Sequence, residues 1–241
     1  MRIVSRFLSY AQLDSIADRV VRAYRKLPEV QAAREVHSVD PQLLLTKLLG
    51  LSVAFRHISQ DGETLGMTSY EELEIEIFDK EEEFFSFDGK TVLIEKDLLS
   101  GYQTGRRNFT IMHEGCHHVL RMLYPKDYAD GVNSRKVLRY RSTGGTWSRE
   151  EWQVDRLTSS ILMPRELVEQ ARIRVGQRGR IKFLSPVYGS EAYARFCQMC
   201  ELLGVSKQAL CIRMIGMGLV EKADLRGQFG VDVFAGDDFN E

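Results

Sequence analysis

Residues 109–120 read FTIMHEGCHHVL and hold three of the five histidines of this 241-residue chain. On a helix with about 3.6 residues per turn, His113 and His117 lie one turn apart on a stripe whose other members are apolar or weakly polar. His118 points about half a turn away from that stripe. The stretch therefore predicts a helix that carries two adjacent imidazoles on its buried face.

These two imidazoles fit either a metal site or a pair of core histidines bonded to backbone carbonyls. Side chains one helical turn apart have Cβ atoms roughly 5–6 Å apart, so both rings can reach one ion at Zn–N distances of about 2.0–2.1 Å. Glu114 flanks the shared position, where a base can take a proton from a water molecule at the metal. The spacing H-E-x-x-H is that of zinc-dependent hydrolases, which usually need a third protein ligand.

A third ligand can come from the stretch SREEWQVDRLTSSILMP, residues 148–164. Its helical stripe places Glu151 and Asp155 among residues expected to be buried, where an unpaired carboxylate is costly. A metal ion would satisfy Glu151, and the outer N–H of a ligand histidine would satisfy Asp155. However, Ser148 and Glu151 also form the S-x-x-E pattern of a capping box, and Glu150 is an alternative ligand that lies off the stripe. These residues alone leave the role of Glu151 open.

The composition limits the compartment and the partners. With 44% hydrophobic and 28% charged residues the chain is typical of a globular protein, and its net charge of −1 gives no basic field for nucleic acid or an anionic membrane. No apolar run approaches the roughly 18 residues that cross a bilayer, and the first residues carry no export signal. Four cysteines are too few for a disulfide framework in a chain of this length. We therefore expect a cytoplasmic protein with no membrane partner.

Hydrophobic periodicity in the rest of the chain predicts an α+β fold that is mostly helical, with a small, mainly antiparallel sheet of three or four strands. Asp88-Gly89 is placed as a tight hairpin turn between the last two strands. The predicted helices are 13–27, 40–50, 107–123, 149–163, 165–174, 190–203 and 207–217. The predicted strands lie within 51–57, 73–79 and 83–96, and the predicted loops are 129–147 and 176–189.

The same patterns predict how the chain is divided. Residues 1–175 are expected to form the core that holds the site, 176–222 a pair of helices packed on that core, and 223–241 a disordered tail. The segment 71–83 has eight acids and one lysine; we interpret it as the solvated face of an edge strand, with an acidic lip for basic substrates as the alternative. Cys197 and Cys200 are interpreted as two core thiols rather than a second metal site.

The chain resembles the ImmA/IrrE family of zinc metallopeptidases over about residues 10–222. The segment RNFTIMHE, 107–114, matches the first family pattern, R-x-F-T-x-x-H-E-x-x-H. The second pattern, E-x-x-A-(D/N)-x-F-A followed by L-L-M-P, is matched in register by Glu151, Asp155 and ILMP at 161–164. The chain departs from the family where Gly115-Cys116 replaces the common Leu-Gly, and where Val154 and Leu157 replace the usual Ala and Phe.

The resemblance implies a zincin-like metallopeptidase domain. In it His113, His117 and Glu151 bind Zn²⁺, with Mn²⁺ as the alternative ion, while Glu114 is the general base and Asp155 is the outer hydrogen-bond partner of a ligand. The resemblance favours Glu151 as a ligand over a helix cap. It also implies that the chain is an endopeptidase of a bacterial or mobile-element regulatory pair, whose protein substrate is a helix-turn-helix repressor.

A peptidase of this kind also needs a place for its substrate. We expect an extended peptide to bind as an added strand at the edge of the small sheet. A second donor to the developing oxyanion is expected as well, and the loop around Tyr140, Arg141 and Gly144 is the candidate region for it.

Two functions of other classes remain as alternatives. A DNA-binding regulator is suggested by FCQMCELLGVSKQALCIRMIGMG, residues 196–218, which resembles a helix-turn-helix. Its recognition helix would carry only Lys207 and Arg213 as charged residues, and 189–226 holds five basic and four acidic side chains, so direct nucleic-acid binding is not expected. The other alternative is a non-catalytic metal-binding domain. Glu114 disfavours it, because a structural zinc site usually closes with a fourth ligand.

Overall fold

The structure is a computed structural model that describes residues 7–33, 35–80, 83–125, 127, 138–141 and 148–225. Its helices are α1 (Tyr10–Tyr24), α2 (Pro28–Gln31), α3 (Pro41–Leu43, continued by a π-helical segment, Leu44–Leu49), α4 (Thr104–Leu123), α5 (Arg149–Leu162), α6 (Arg165–Arg174), α7 (Ser190–Leu203) and α8 (Lys207–Gly216). Its strands are β1 (Ser52–Arg56), β2 (Thr64–Thr68), β3 (Glu72–Glu76), β4 (Phe84–Asp88), β5 (Thr91–Glu95), β6 (Leu138–Arg141), β7 (Ile181–Leu184) and β8 (Val220–Ala223). Two 3₁₀ turns, Lys96–Leu99 and Gly101–Gln103, connect β5 to α4. The predicted α+β fold is confirmed.

The main sheet has the strand order β1-β5-β2-β6. β5 lies parallel to β1 and antiparallel to β2, and β2 lies antiparallel to β6. Val92, Leu93 and Ile94 of β5 are fully buried, because this strand has a neighbour on each edge and apolar packing on each face. β6 is the outer strand, and within the described chain it pairs only with β2.

A two-stranded antiparallel ribbon, β3–β4, lies against one face of the main sheet. Phe87 of β4 packs there with Leu93 of β5 and Met67 of β2 in a small apolar cluster. The outward side of β3 carries exposed acids, Glu72, Glu74 and Glu76. These three acids form a solvated strand face, as predicted, whereas Asp79 of the same segment is buried and accepts a hydrogen bond from the His57 N–H at 3.0 Å. β7 and β8 form a separate parallel pair.

α4 crosses the opposite face of the main sheet and packs against α5, which in turn contacts α1. Two of these helices begin at polar caps that the sequence supplies. Ser9 and Gln12 form a capping box at the start of α1. At the start of α5, the Ser148 hydroxyl accepts a hydrogen bond from the Glu151 N–H. The cap fixes the residue at which α5 begins, and therefore the position of the first turn of α5 along α4.

A partly buried polar network links α5 to α1 and α8. Arg213 of α8 is buried; its Nε donates to the Met163 carbonyl at 3.0 Å and its Nη1 to Ser160 Oγ at 3.1 Å. Ser160 Oγ donates to Asp14 of α1 at 2.7 Å, and Arg156 Nη2 donates to the same carboxylate at 3.0 Å. Burial works against ionisation of Asp14, but the Ser160 hydrogen bond and the two arginine charges hold its pKa below the usual value. Since Arg213 is committed to this contact, the helix-turn-helix interpretation loses one of its two cations.

The structure differs from the prediction in several strands. β6 lies in the predicted loop 129–147 and β7 lies in the predicted loop 176–189. β2 lies where the sequence predicts no strand. β2 alternates Leu65 and Met67 with Thr64, Gly66 and Thr68, but it has only five residues, none of them is charged, and glycine is depleted in strands. β6 and β7 have only four residues each, which is the lower limit for a periodic signal.

The predicted hairpin around Asp88-Gly89 is wrong. Gly89 does make a turn, with a positive φ of 74°. However, β4 before the turn pairs with β3, and β5 after it pairs with β1 and β2. The apolar run of β5 suits the centre of a sheet with two covered faces better than one arm of a half-exposed hairpin. The turn therefore passes the chain from the ribbon to the main sheet.

The C-terminal segment contains strands as well as the two predicted helices. One apolar core includes residues of α4 and α5 together with residues of α7 and α8; the predicted boundary at residue 175 stays a prediction. Ala223, the first residue of the predicted tail, belongs to β8, and 226–241 lie outside the described residues. Among the described helices, none has the combined length and apolarity that crossing a membrane requires.

Candidate metal centre

Two histidines and one carboxylate from successive long helices converge at the interface of α4 and α5. His113 and His117 are buried on α4, with ring centroids 5.0 Å apart and ring planes at 73°. Glu151 of α5 places its Oε2 atom 3.1 Å from His113 Nε2 and 3.7 Å from His117 Nε2. One ligand atom from each of the three residues lies within 4.8 Å of the other two. This group can hold a metal ion.

The helix cap and the candidate ligand role of Glu151 are compatible. The Ser148 hydroxyl accepts from the backbone N–H of Glu151 at 3.1 Å, which leaves the Glu151 carboxylate directed at both histidines. Glu150, the alternative ligand, instead places Oε1 3.7 Å from Nδ1 of His117. Its carboxylate therefore faces the outer nitrogen of that ring, and not the point where the two Nε2 atoms meet.

Asp155, one turn after Glu151 on α5, contacts the outer nitrogen of His113. Its Oδ1 atom lies 2.9 Å from His113 Nδ1, so Nδ1–H donates to the carboxylate and Nε2 faces Glu151. Burial alone would lower the pKa of His113, but the hydrogen bonds to Asp155 and Glu151 raise it to about 10. The two carboxylates thus favour positive charge at the point where His113 and Glu151 meet, which suits a bound cation.

Glu114 is a buried polar group that lacks a partner at this site. Its side chain has no solvent exposure, and neither carboxylate oxygen has a hydrogen-bond partner among the described residues; the same holds for Nδ1 of His117. Burial raises the pKa of Glu114 to about 7, although the charges of His113 and His117 oppose that rise. Buried polar atoms nearly always have a partner. The orphaned carboxylate beside the two histidines therefore fits a site that binds a further polar group there.

Tyr140 of β6 covers the site from the sheet side. Its ring centroid lies 4.1 Å from that of His113, with the planes tilted by 37°, and 6.2 Å from that of Phe109. Its hydroxyl has no hydrogen bond to any residue that the structure describes. Burial raises the pKa of Tyr140 well above its usual value, so the phenol stays a hydrogen-bond donor. The Arg141 side chain and Gly144, the other candidates in this region, lie outside the described part.

His118 lies outside the site, as its position on the helix predicts. Its Nε2 atom is 2.7 Å from Thr68 Oγ1 of β2, and its ring packs edge-on against Tyr70 at 5.0 Å. Burial lowers the pKa of His118 to about 4, so the ring is neutral at physiological pH. This histidine fastens α4 to the main sheet.

The cysteines add no ligands to this centre. Cys116, which stands between the two histidines, is buried, and burial raises its pKa to about 12, so it stays a protonated thiol. Cys197 and Cys200 of α7 are free thiols, half-buried and buried respectively, and neither belongs to a metal-ligand group found in the described chain.

A second group with metal-ligand geometry was missed by the sequence analysis. His57, Glu95 and Asp97 each offer one ligand atom within 4.8 Å of the others. They meet because β1 and β5 are parallel and end at the same sheet edge, a pairing that the sequence did not predict. Both Glu95 oxygens already have donors, His57 Nδ1 at 2.9 Å and the Ile58 N–H at 2.8 Å. The buried carboxylate of this second group is therefore satisfied by the protein, whereas Glu114, which lies beside the first group, has no hydrogen-bond partner among the described residues.

A cleft of about 650 Å³ opens elsewhere, beside α2 and α6. Val30 and Leu167 contribute to its apolar floor, and the ion pair of Arg25 with Glu166 stands at its rim. None of the residues that line it belongs to the centre between α4 and α5.

Comparisons with known proteins do not identify this centre, so its interpretation depends on its geometry. No protein-family model matches the chain, and no curated protein matches it either.

Proposed function

We propose that the protein is a zinc-dependent endopeptidase. His113, His117 and Glu151 hold the zinc ion, and Glu114 is the general base. One observation carries the proposal: three ligand atoms converge within 4.8 Å of one another next to a buried carboxylate that has no hydrogen-bond partner in the described chain. A non-catalytic metal site would not need that carboxylate, since a fourth ligand would normally close it.

The chemistry of the ligand atoms favours zinc. Two imidazole nitrogens and one carboxylate oxygen are the ligand set of many catalytic zinc sites, which keep a fourth position open. Manganese, the alternative, prefers sites richer in oxygen ligands. Asp155 supports either ion, because its hydrogen bond to His113 Nδ1 at 2.9 Å keeps Nε2 free to bind.

The zinc ion and Glu114 have separate roles in the proposed peptide hydrolysis. A bound zinc ion supplies Lewis-acid chemistry, polarising the scissile carbonyl and lowering the pKa of water to about 7. Glu114 takes the proton from the attacking water and passes it to the leaving amine.

The outer edge of β6 is the place proposed for the substrate. An extended peptide added there would hydrogen-bond to the strand that carries Tyr140, and Tyr140 lies over the ligand His113. Its unpaired, protonated hydroxyl is the proposed second donor to the developing oxyanion. The resemblance to ImmA/IrrE peptidases supports a helix-turn-helix repressor as the protein substrate.

Tyr140→Phe is expected to lower kcat about 10²–10³-fold, the usual loss for one oxyanion donor, because only the hydroxyl is removed. KM and zinc content should stay close to wild type, since the ring that packs on His113 remains. Steady-state kinetics together with metal analysis measures these changes. Tyr188→Phe, which alters a tyrosine that is 70% exposed, is the matched control. An unchanged kcat in Tyr140→Phe would remove Tyr140 from the mechanism.

Asp155→Ala is expected to weaken zinc binding about 10–100-fold, because the Nδ1–H of His113 loses its acceptor and the ring its fixed orientation. Competition against a chromophoric chelator measures the affinity. Glu201→Ala changes an exposed carboxylate of α7 and serves as the control. Equal affinities for wild type and Asp155→Ala would show that Asp155 does not support the ligand.

The proposal as a whole is tested by incubation with a fluorogenic peptide library and with the helix-turn-helix repressor encoded beside the gene. We expect cleavage that stops when a zinc chelator is added and returns when zinc is restored. A fully zinc-loaded protein that cleaves neither the peptides nor the repressor would contradict an endopeptidase and favour the non-catalytic alternative.

A further inference from the structure

β2 passes so close to Glu114 that it leaves no room for a side chain at Gly66. A Cβ atom built on Gly66 would lie 2.7 Å from Glu114 Oε1 and 3.1 Å from Glu114 Cγ. It would also lie 2.7 Å from the methyl group of Thr110. Carbon atoms at favourable contact are about 3.5–4.0 Å apart, so any residue other than glycine would have to displace these groups.

The backbone of Gly66 does not itself require glycine. Its φ is not among the positive values that the structure shows at other glycines, such as Gly50 and Gly89. A glycine inside a strand weakens that strand and often marks a close approach by another group. Leu65 and Met67 on either side are buried side chains, so the strand is otherwise built of residues that fill space. The close approach of Glu114 explains the missing side chain.

No hydrogen bond fixes the position of Glu114 within the described part of the chain. Neither of its oxygens has a hydrogen-bond partner there, and the charges of His113 and His117 attract the carboxylate without the directionality of a hydrogen bond, so the surrounding surfaces have a large part in selecting its rotamer. On the sheet side that surface is the backbone at Gly66, which pairs with Ile94 of β5 and Tyr140 of β6. Gly66 lies directly opposite Tyr140 at the end of the regular β2–β6 register, which shifts between Thr64 and Gly66.

We propose that Gly66 is a positioning residue for Glu114. Its bare backbone forms the wall that holds the carboxylate beside His113 and His117, and it acts on the reaction only through Glu114. The inference rests on the proposed function, because the wall matters to catalysis only if Glu114 is the general base. The contact itself can be tested without any activity.

The first experiment is a double-mutant cycle on the zinc-free protein. Gly66→Ala is expected to lower the urea midpoint of unfolding, and to lower it at most about half as much in a Glu114→Ala background, because the carboxylate contacts are gone there. Gly101→Ala, where an added Cβ meets nothing within 4 Å, should change the midpoint by the same amount in both backgrounds. An equal loss for Gly66→Ala in the two backgrounds overturns the inference. If Gly66→Ala fails to fold, the double variant should fold, and failure of both also overturns it.

The second experiment uses the zinc-loaded protein. Gly66→Ala is expected to keep its zinc and its KM and to lose about 100-fold in kcat, as a displacement of about 1 Å in a catalytic group can cause. Adding Thr110→Ser removes the competing methyl contact and should not restore kcat. Restoration by Thr110→Ser, or an unchanged kcat in Gly66→Ala, overturns the positioning role. A wild-type protein that cleaves nothing would contradict the proposed function. The double-mutant cycle would still test whether Gly66 contacts Glu114.

Discussion

Glu114→Gln is expected to abolish peptide cleavage and to leave the zinc content unchanged. The amide has nearly the same shape as the carboxylate but cannot take a proton from water, and proton transfer by a positioned base contributes about 10²–10⁴-fold to a rate. The side chain is not one of the three that converge as ligands, so metal binding should survive. Measurement of kcat/KM tests the loss of cleavage, and metal analysis of the purified variant tests whether the zinc content is unchanged.

The control for this variant is Glu74→Gln, which makes the same chemical change on the exposed side of β3. It should leave both turnover and zinc content at wild-type values. Loss of zinc from Glu114→Gln would make Glu114 a ligand and overturn its role as base. Turnover close to wild type would remove Glu114 from the reaction altogether.

Glu151→Ala is expected to release the metal, which makes it the second large effect. Glu151 Oε2 is the only carboxylate oxygen that faces the Nε2 atoms of both histidines within the described chain. Its loss should therefore weaken zinc binding by more than the roughly 10–100-fold expected for Asp155. Chelator competition measures the affinity, and turnover should fall with zinc occupancy.

Ser148→Ala separates the ligand role of Glu151 from helix capping. It removes the hydroxyl that accepts the Glu151 N–H and keeps the carboxylate, so it should cost about 1 kcal/mol of stability with zinc affinity unchanged. If Glu151→Ala matches Ser148→Ala, with a small loss of stability and full zinc binding, then Glu151 is only a cap residue.

Helical pitch was enough to predict which side chains of α4 and α5 share a face. His113 and His117 are buried together, Glu151 and Asp155 both face them, and His118 points to the sheet, as the positions on each helix indicate. These arrangements depend on contacts within one helix and on one pairing of helices. Local sequence spacing encodes most of that information.

The sheet side of the site could not be predicted in the same way. Gly66 meets Glu114, and Tyr140 meets His113, only because β2 and β6 pair at one register. β2 has five residues and β6 has four, so the alternation in each strand is short, and alternation within one strand does not say which strand it pairs with or at which register. The group of His57, Glu95 and Asp97 was missed for a related reason, since it depends on the parallel pairing of β1 with β5.

The polar network of Asp14, Arg156, Ser160 and Arg213 bears on how the proposed site would bind an ion. It anchors α5 through contacts that include none of the candidate ligands, so the helix that supplies Glu151 is held whether or not an ion is bound. When the ligand side chains are already held in place, binding of the ion orders little of the chain and buries little additional apolar surface. Calorimetry of zinc uptake should accordingly give a heat-capacity change near zero, unlike that of small domains that fold around their metal.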